Sequence, residues 1–139
     1  MQTFLPYPDF KKTAECLDWR RLGKQRIEAM QILRALEDGN YGWQNHPAVN
    51  MWRGFEAMLA VYHNTIIEEW VAMGYRNTMK LIVPDIVPIS PSWLGNSNFH
   101  ASHRSNLLRK DPDHYGQFGW TESDNLPYVW GFDQGLSDS

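Results

Sequence analysis

The sequence predicts an all-α fold, a compact single domain of three main helices with a short N-terminal helical segment and ordered loops. Apolar residues recur every three or four positions in three separate blocks, which is the period of an amphipathic helix. Turn-forming residues divide these blocks near 39–47, 84–95 and 111–112. A length of 139 residues, 42% of them hydrophobic, suits one packed core. We expect the helical domain over residues 1–130 and an acidic C-terminal tail over 131–139.

The first block predicts a long amphipathic helix over about 17–37. Leu22, Ala29, Leu33 and Leu36 fall on one side of this helix at 100° per residue. The sequence EDGN directly after them is a typical helix stop. One side of the helix is therefore expected to face the core, and the opposite side to carry polar residues.

The second block predicts a helix that begins near Pro47 and ends near Gly74. Proline suits the first turn of a helix, glycine suits its end, and Gly54 allows a bend between them. Its apolar side is formed by residues three or four positions apart: Trp52, Phe55, Leu59, Tyr62, Ile66 and Trp70.

The third block, NSNFHASHRSNLLRKDP, predicts a helix that opens with cap-type Asn and Ser residues and ends at Pro112. Phe99, Leu107 and Leu108 supply its apolar side. Between the second and third blocks, KLIVPDIVPISP contains three prolines. This favours an extended, irregular link over a paired strand, because proline cannot donate a ladder hydrogen bond.

The charge is distributed unevenly along the chain. The net charge is -3, but residues 111–139 carry six acidic side chains and no Lys or Arg. All 13 basic side chains therefore lie in residues 1–110 against the ten remaining acidic ones, which gives this part a charge of +3. A basic body is compatible with nucleic acid as a partner, since that binding depends largely on phosphate neutralisation.

Several classes of protein are disfavoured. The first residues, MQTFLPYPDF, lack a basic start followed by an apolar run, and no stretch reaches the roughly 20 apolar residues of a membrane span. The single cysteine, Cys16, excludes an internal disulfide framework and is expected to be a small buried hydrophobe. We expect a soluble, cytoplasmic monomer with no membrane partner.

The segment RRLGKQRIEA, residues 20–29, gathers cations around one carboxylate. Arg21, Lys24, Gln25 and Glu28 form one stripe at i, i+3, i+4 and i+7, away from the apolar side. Lys24 and Glu28 as an exposed ion pair would contribute roughly a few tenths of a kcal/mol. Alternatively, Glu28 is a general base or electrostatic stabiliser while the cations, Arg20 included, hold phosphates. Both interpretations are open on spacing alone.

Arg26 lies on the apolar side of the same helix, within about 40° of Leu22 and Leu33. A partly buried guanidinium needs a carboxylate, carbonyls or a phosphate to satisfy its donors. A structural salt bridge and a phosphate contact are equally compatible with this position.

The loop GNYGWQNHPAVNMWRG combines rings that can stack on a base with groups that can bond its edge, as a flipped-base pocket requires. The alternative is structural, with its tryptophans in the core and His46 capping a helix. The candidates are Tyr41, Trp43, Asn45 and His46 for the pocket and Arg53 for DNA.

The third block adds a second basic patch, which contains His100, His103, Arg104 and Lys110. The two histidines are further candidates for the base pocket. They also stand at i, i+3, but no carboxylate or cysteine motif accompanies them, so we expect no metal site. Nothing in the sequence calls for a cofactor.

Four segments resemble the pyrimidine dimer DNA glycosylase family, also called endonuclease V-type UV endonucleases. They are LDWRRLGKQRIEA after a short N-terminal segment, MWRGFEAMLAVYHNTIIEEWVAMGYRNT, HRSNLLRKDPDHYG, and an aromatic C-terminal end with LPYVW. The resemblance covers most of residues 1–130. It implies an all-α DNA repair enzyme that excises a damaged or modified pyrimidine from duplex DNA and then cleaves the abasic strand.

The resemblance also implies residue roles. In the family the N-terminal α-amine attacks the sugar carbon to form an imine, and a glutamate on the first long helix, here Glu28, assists. An ordinary α-amine is partly neutral, and hence nucleophilic, near pH 7. The family usually exposes a Thr after Met removal, whereas bulky Gln2 is expected to leave Met1 in place here. The candidates by position for its phosphate-binding residues are Arg20, Arg21, Lys24, Arg26, Arg104 and Lys110.

Three nucleophiles therefore remain open: the Met1 amine, Lys24, or a water activated by Glu28 in a simple glycosylase. A different class of function also remains open, namely a non-catalytic module that binds a nucleotide, DNA or a protein on the same helical scaffold. The position of Glu28 discriminates between these classes, because an enzyme needs it close to Met1 and to the loop of Trp43 and His46.

Overall fold

The computed structural model describes residues 1–131, so the predicted acidic tail lies outside the described residues except for Gly131. Residues 1–131 contain α-helices, a short 3₁₀ turn and no strand, which confirms the all-α prediction. In chain order they are α1 (Phe10–Cys16), α2 (Trp19–Glu37), α3 (Pro47–Trp52), α4 (Glu56–Ala72), α5 (Ser97–Lys110), α6 (Pro112–Tyr115) and the turn Gly116–Phe118. None of these helices is long and apolar enough to cross a membrane.

The predicted second helix is in fact two helices, so that prediction was wrong in its extent. α3 ends at Trp52 and α4 begins at Glu56. Between them Gly54 adopts a φ of 89°, a left-handed conformation that interrupts a right-handed helix and that glycine tolerates best. The predicted link between the second and third blocks contains no helix and no strand, in agreement with the predicted irregular link.

Helices α2 and α4 form the centre of the fold. Leu22 and Ile32 of α2 and Leu59 and Ile66 of α4 are almost completely buried. A glycine in α2 permits the close approach, because a Cβ on Gly23 would lie only 2.8 Å from the Trp70 ring of α4. One side of α2 is therefore fixed against the core, and its exposed polar residues lie on the opposite side.

The N-terminal residues run through this core. Thr3 and Leu5 are both fully buried. The Thr3 hydroxyl accepts a hydrogen bond from the Trp52 indole at 3.1 Å, and the Thr3 carbonyl accepts one from the Tyr128 hydroxyl at 2.6 Å. The start of the chain is thereby fixed to α3 and to the C-terminal segment.

Helix α5 holds the next residues of the same segment. The Leu5 N–H donates to His103 Nδ1 at 2.9 Å, and the Leu5 carbonyl accepts from His100 Nδ1 at 2.7 Å. Arg104 donates to the Pro6 carbonyl at 2.7 Å. These contacts satisfy backbone groups that have no partner in a helix or sheet, as burial requires.

Three buried histidines make the fold sensitive to acid. Burial lowers the pKa of His103 to about 3 and also lowers the pKa values of His63 and His100. The unfolded chain protonates these rings near pH 6.5, whereas the folded chain keeps them neutral, so the free energy of unfolding falls as the pH drops below that value. Between pH 7 and pH 5 we expect His103 alone to lower the free energy of unfolding by about 2 kcal/mol. Urea unfolding at the two pH values measures this change.

The variant His103→Gln provides the control, because its amide takes up no proton. At pH 7 the free energy of unfolding of this variant is expected to be lower than that of the wild type. Between pH 7 and pH 5, however, the variant should lose less of this free energy than the wild type does. Equal losses in the two proteins would contradict the assignment of this acid sensitivity to His103.

Candidate active site

A polar cleft of about 360 Å³ lies between the N-terminal residues, the first turns of α2 and the end of α5. It contains two carboxylates that are almost fully buried, Asp18 and Glu28. Its other lining residues include four cations and the amide that fixes the chain start: Gln2, Phe4, Arg20, Arg21, Lys24, Gln25, Lys110 and Asp111.

Glu28 lies beside the N-terminal amine. The Met1 nitrogen is 3.8 Å from Glu28 Oε1, and the Gln2 N–H donates to the same oxygen at 3.3 Å. The other oxygen, Oε2, accepts from Gln25 Nε2 at 2.9 Å. With 8% of its surface exposed, Glu28 is a fixed carboxylate whose charged neighbour is the chain's own amine.

Gln25 fixes the chain start to α2 with both ends of its amide. Its oxygen accepts from the Phe4 N–H at 3.1 Å and from the Tyr62 hydroxyl at 2.7 Å. Its nitrogen donates to the Gln2 carbonyl and to Glu28, each at 2.9 Å. A side-chain amide has two donors and two acceptor lone pairs, so all of its bonding capacity is used.

Asp18 is the second buried carboxylate, and it positions a cation. It caps α2 by accepting from the Arg21 N–H, and Arg21 Nη1 donates to its Oδ1 at 3.2 Å. The Tyr115 hydroxyl also donates to Asp18 Oδ1. Burial by itself raises the pKa of Asp18, but the hydrogen bonds from Tyr115 and Arg21 outweigh it, so the pKa lies below its usual value.

Three further cations stand at the rim of the cleft: Arg20, Lys24 and Lys110, all exposed. None of them forms an ion pair with any of residues 1–131. In particular, Lys24 and Glu28 do not form the exposed pair that their spacing allowed, since Glu28 points to Gln25 and to the chain start. The cations are therefore available to a polyanion.

Part of the aromatic loop lies near the same amine. Burial lowers the pKa of His46, and the nearby N-terminal ammonium lowers it further. Trp43 packs edge-on against His46 with ring centroids 5.8 Å apart, and Trp130 contacts the other side of His46 at 5.9 Å. Trp43 is 56% exposed and has a φ of 74°, an uncommon conformation for a non-glycine residue that often accompanies function.

The other candidates of this loop have structural contacts. His46 Nδ1 accepts from the Ala48 N–H and caps α3, which was the structural alternative for this residue. Arg53 donates to the Gln44 carbonyl at 2.9 Å. Tyr41 packs against the core, and the exposed Asn45 accepts at its carbonyl from Asn50.

The prediction that His100 and His103 line a base pocket needs correction, because both lie in the core. His103 is fully buried and also donates from Nε2 to the Val129 carbonyl at 3.0 Å. His100 accepts at Nε2 from the Gly95 N–H at 2.8 Å. Both ring nitrogens of each histidine are thus committed to backbone groups, and a base cannot reach them without unfolding the N-terminal segment.

Two predicted DNA-binding arginines are likewise engaged within the protein. Arg104 makes a two-pronged ion pair with Glu122 at 2.9 and 3.1 Å. Arg26 donates to Asn77 Oδ1 at 2.7 Å and lies 4.3 Å above the Trp70 ring. Neither residue lines the cleft. Arg26 therefore has structural contacts, although a neutral amide and a ring take the place of the expected carboxylate.

Sequence reasoning missed Asp18 and Tyr115. Asp18 stands directly before α2, where an N-cap signal could have identified it. Tyr115 lies 97 positions away from its partner, and no local pattern indicates such a contact.

The Gln25 amide gives a stability prediction. Gln25→Leu leaves the Phe4 N–H and the Gln2 carbonyl buried without these partners, whereas the Tyr62 hydroxyl still has the Phe4 carbonyl as an acceptor at 2.9 Å. We expect the free energy of unfolding to fall by about 2–4 kcal/mol in urea at pH 7. Gln31→Leu, the same change at a half-buried position of α2, should alter it by less than about 1 kcal/mol. A similar small effect at both positions would refute the role given to Gln25.

Comparisons with known proteins identify a family for this chain. A family model described as pyrimidine dimer DNA glycosylase matches residues 1–83, more than half of the chain. The matched region contains Met1, Glu28 and the loop of Trp43. No curated protein and no solved structure gave a significant match. The family match supports a general role in removing damaged pyrimidines from DNA. The chain belongs to the pyrimidine dimer DNA glycosylase family.

Proposed function

We propose that this protein excises a damaged pyrimidine from duplex DNA with the Met1 α-amine as the nucleophile and Glu28 as its proton acceptor. The observation that carries the proposal is the 3.8 Å separation of the Met1 nitrogen from Glu28 Oε1, since Glu28 lines a cleft rimmed by cations. A general base acts at hydrogen-bond distance, about 2.6–3.2 Å, and such contacts are often longer before the substrate binds than in the reacting complex.

The two other nucleophiles have less support. Lys24 is exposed at the rim, and it makes no contact with Glu28. A water activated by Glu28 would have to share Oε1 with the Gln2 N–H and the neighbouring amine. The amine already occupies the position that a nucleophile requires, beside a base that is fixed in turn by Gln25.

In the proposed reaction, attack of the amine on the sugar leads first to loss of the base and then to cleavage of the strand. The amine nitrogen bonds to C1′ as the bond from C1′ to the base breaks, and the departing base takes the bonding electrons and a proton. Glu28 accepts a proton from the nitrogen and returns it to the ring oxygen as the C1′–O4′ bond opens to an imine. Loss of a C2′ proton then expels the 3′ phosphate, which cleaves the strand.

The surrounding groups suit the DNA. Arg20, Arg21, Lys24 and Lys110 are placed to hold phosphates beside the cleft. The exposed Trp43 ring, with His46 and Trp130 behind it, offers a stacking surface to a base drawn out of the duplex near the amine.

An imine trap tests the nucleophile. Borohydride reduces an imine to a stable amine, so a duplex carrying a pyrimidine lesion should become covalently attached, and peptide mapping should locate the bond at Met1. Protein acetylated at the N-terminus should give no adduct, whereas Lys24→Ala should still give one. A bond mapped to Lys24 would reassign the nucleophile, and no adduct with any modified pyrimidine would remove the imine step.

Glu28→Gln tests the base. We expect single-turnover excision to slow by about 10²- to 10⁴-fold, because the amide accepts no proton. DNA binding, measured by anisotropy, should be unchanged or tighter, since one negative charge leaves a cationic cleft. Glu37→Gln at the exposed end of α2 is the matched control. Excision by Glu28→Gln within tenfold of the control would exclude Glu28 as the base.

A further inference from the structure

Three aromatic rings form a row on the surface beside the cleft. The rings of Trp70 and Tyr75 are stacked with centroids 4.4 Å apart at 27°. Trp19 follows Tyr75 with centroids 6.2 Å apart at 31°. Trp19 is 53% exposed although it is the first residue of α2, so its ring extends the row into solvent.

The row is built into the fold and has a fixed orientation. The inner ring, Trp70, packs against Gly23 of α2 and donates to the Arg76 carbonyl at 2.8 Å. Arg26 covers the Trp70 ring at 4.3 Å. The Tyr75 N–H donates to the Trp70 carbonyl, which closes the turn that presents Tyr75. Trp19 therefore stands on a rigid support.

Basic groups surround the outer ring. The guanidinium carbon of Arg20 lies 5.4 Å from the centre of the Trp19 ring, and Arg20 also lines the cleft. Arg76 is exposed directly after Tyr75. Proteins that bind single-stranded nucleic acids combine exposed aromatic rings with nearby cations, since the rings stack on bases and the cations neutralise the adjacent phosphates.

We infer that Trp19 and Tyr75 form a stacking site for an unpaired base of the bound DNA, outside the site of excision. The inference extends the proposed function, because Arg20 joins this surface to the cleft that holds Glu28. Trp19 and Glu28 are nine positions apart on α2, which places them roughly 13 Å apart along the helix axis and on opposite faces of the helix, with Arg20 directed between these two faces.

Binding to lesion-free DNA tests this site without any chemistry. The probe is a dye-labelled, single-stranded oligothymidylate, and its affinity for the full chain is measured by anisotropy. Trp19→Ala should weaken binding by about 5- to 150-fold, the range for loss of one stacked base. Trp19→Phe keeps a ring and should stay within about threefold of the wild type. Thermal unfolding should be little changed in both variants because Trp19 is largely exposed.

Ile86→Ala is the control for loss of an exposed apolar side chain. Ile86 is 65% exposed and lies near Leu33 and Glu37, at the opposite end of α2 from Trp19. It should bind oligothymidylate as the wild type does. Affinity of Trp19→Ala equal to that of the wild type, or an equal loss in Ile86→Ala, would overturn the inference.

The salt dependence separates stacking from charge. Arg20→Ala should lower the slope of log affinity against log salt by about 0.7, the value for one phosphate contact on a single strand. Trp19→Ala should leave that slope unchanged, and a lowered slope there would overturn a stacking role. The imine trap is independent of this result. A negative trap with a Trp19 effect rejects the catalytic proposal alone, and a positive trap without a Trp19 effect rejects the stacking site alone.

Discussion

The four hydrogen bonds of Gln25 are the interaction on which the site depends. A buried amide is costly unless its donors and acceptors are satisfied, and here the partners are the backbone of residues 2 and 4, Tyr62 and Glu28. One side chain thereby fixes the start of the chain, the orientation of the carboxylate and the distance between them. Any movement of the chain start relative to α2 would leave several polar groups buried without partners.

This constraint explains why the N-terminal residues are buried at all. A free chain end samples many conformations, and an amine on such an end would rarely meet a reacting carbon in the required geometry. Here Thr3 is held by Trp52 and Tyr128, and Leu5 is held by two histidines of α5. Helices far apart in sequence thus cooperate to immobilise the amine beside Glu28.

The sequence predicted those features that depend on local spacing. The stripe of Arg21, Lys24, Gln25 and Glu28 follows from helix geometry, and the structure places all four at the cleft. The burial of His100 and His103 could not be predicted in the same way, because it results from residues that lie 95 to 98 positions earlier. A histidine pair at i, i+3 has the same local pattern whether water or another chain segment covers it.

The contacts of Glu28 also exclude an exposed ion pair with Lys24, one of the two interpretations of that stripe. If Glu28 paired with Lys24, the cation would be neutralised and the carboxylate would face solvent, away from the amine. Instead, neutral donors from Gln2 and Gln25 hold Glu28 inward. Because hydrogen bonds from neutral groups orient a carboxylate without cancelling its charge, Glu28 keeps its charge for the amine. In the function that we propose, Lys24 in turn keeps its charge for a phosphate, and one helix face serves both as the base and as an anion-binding surface.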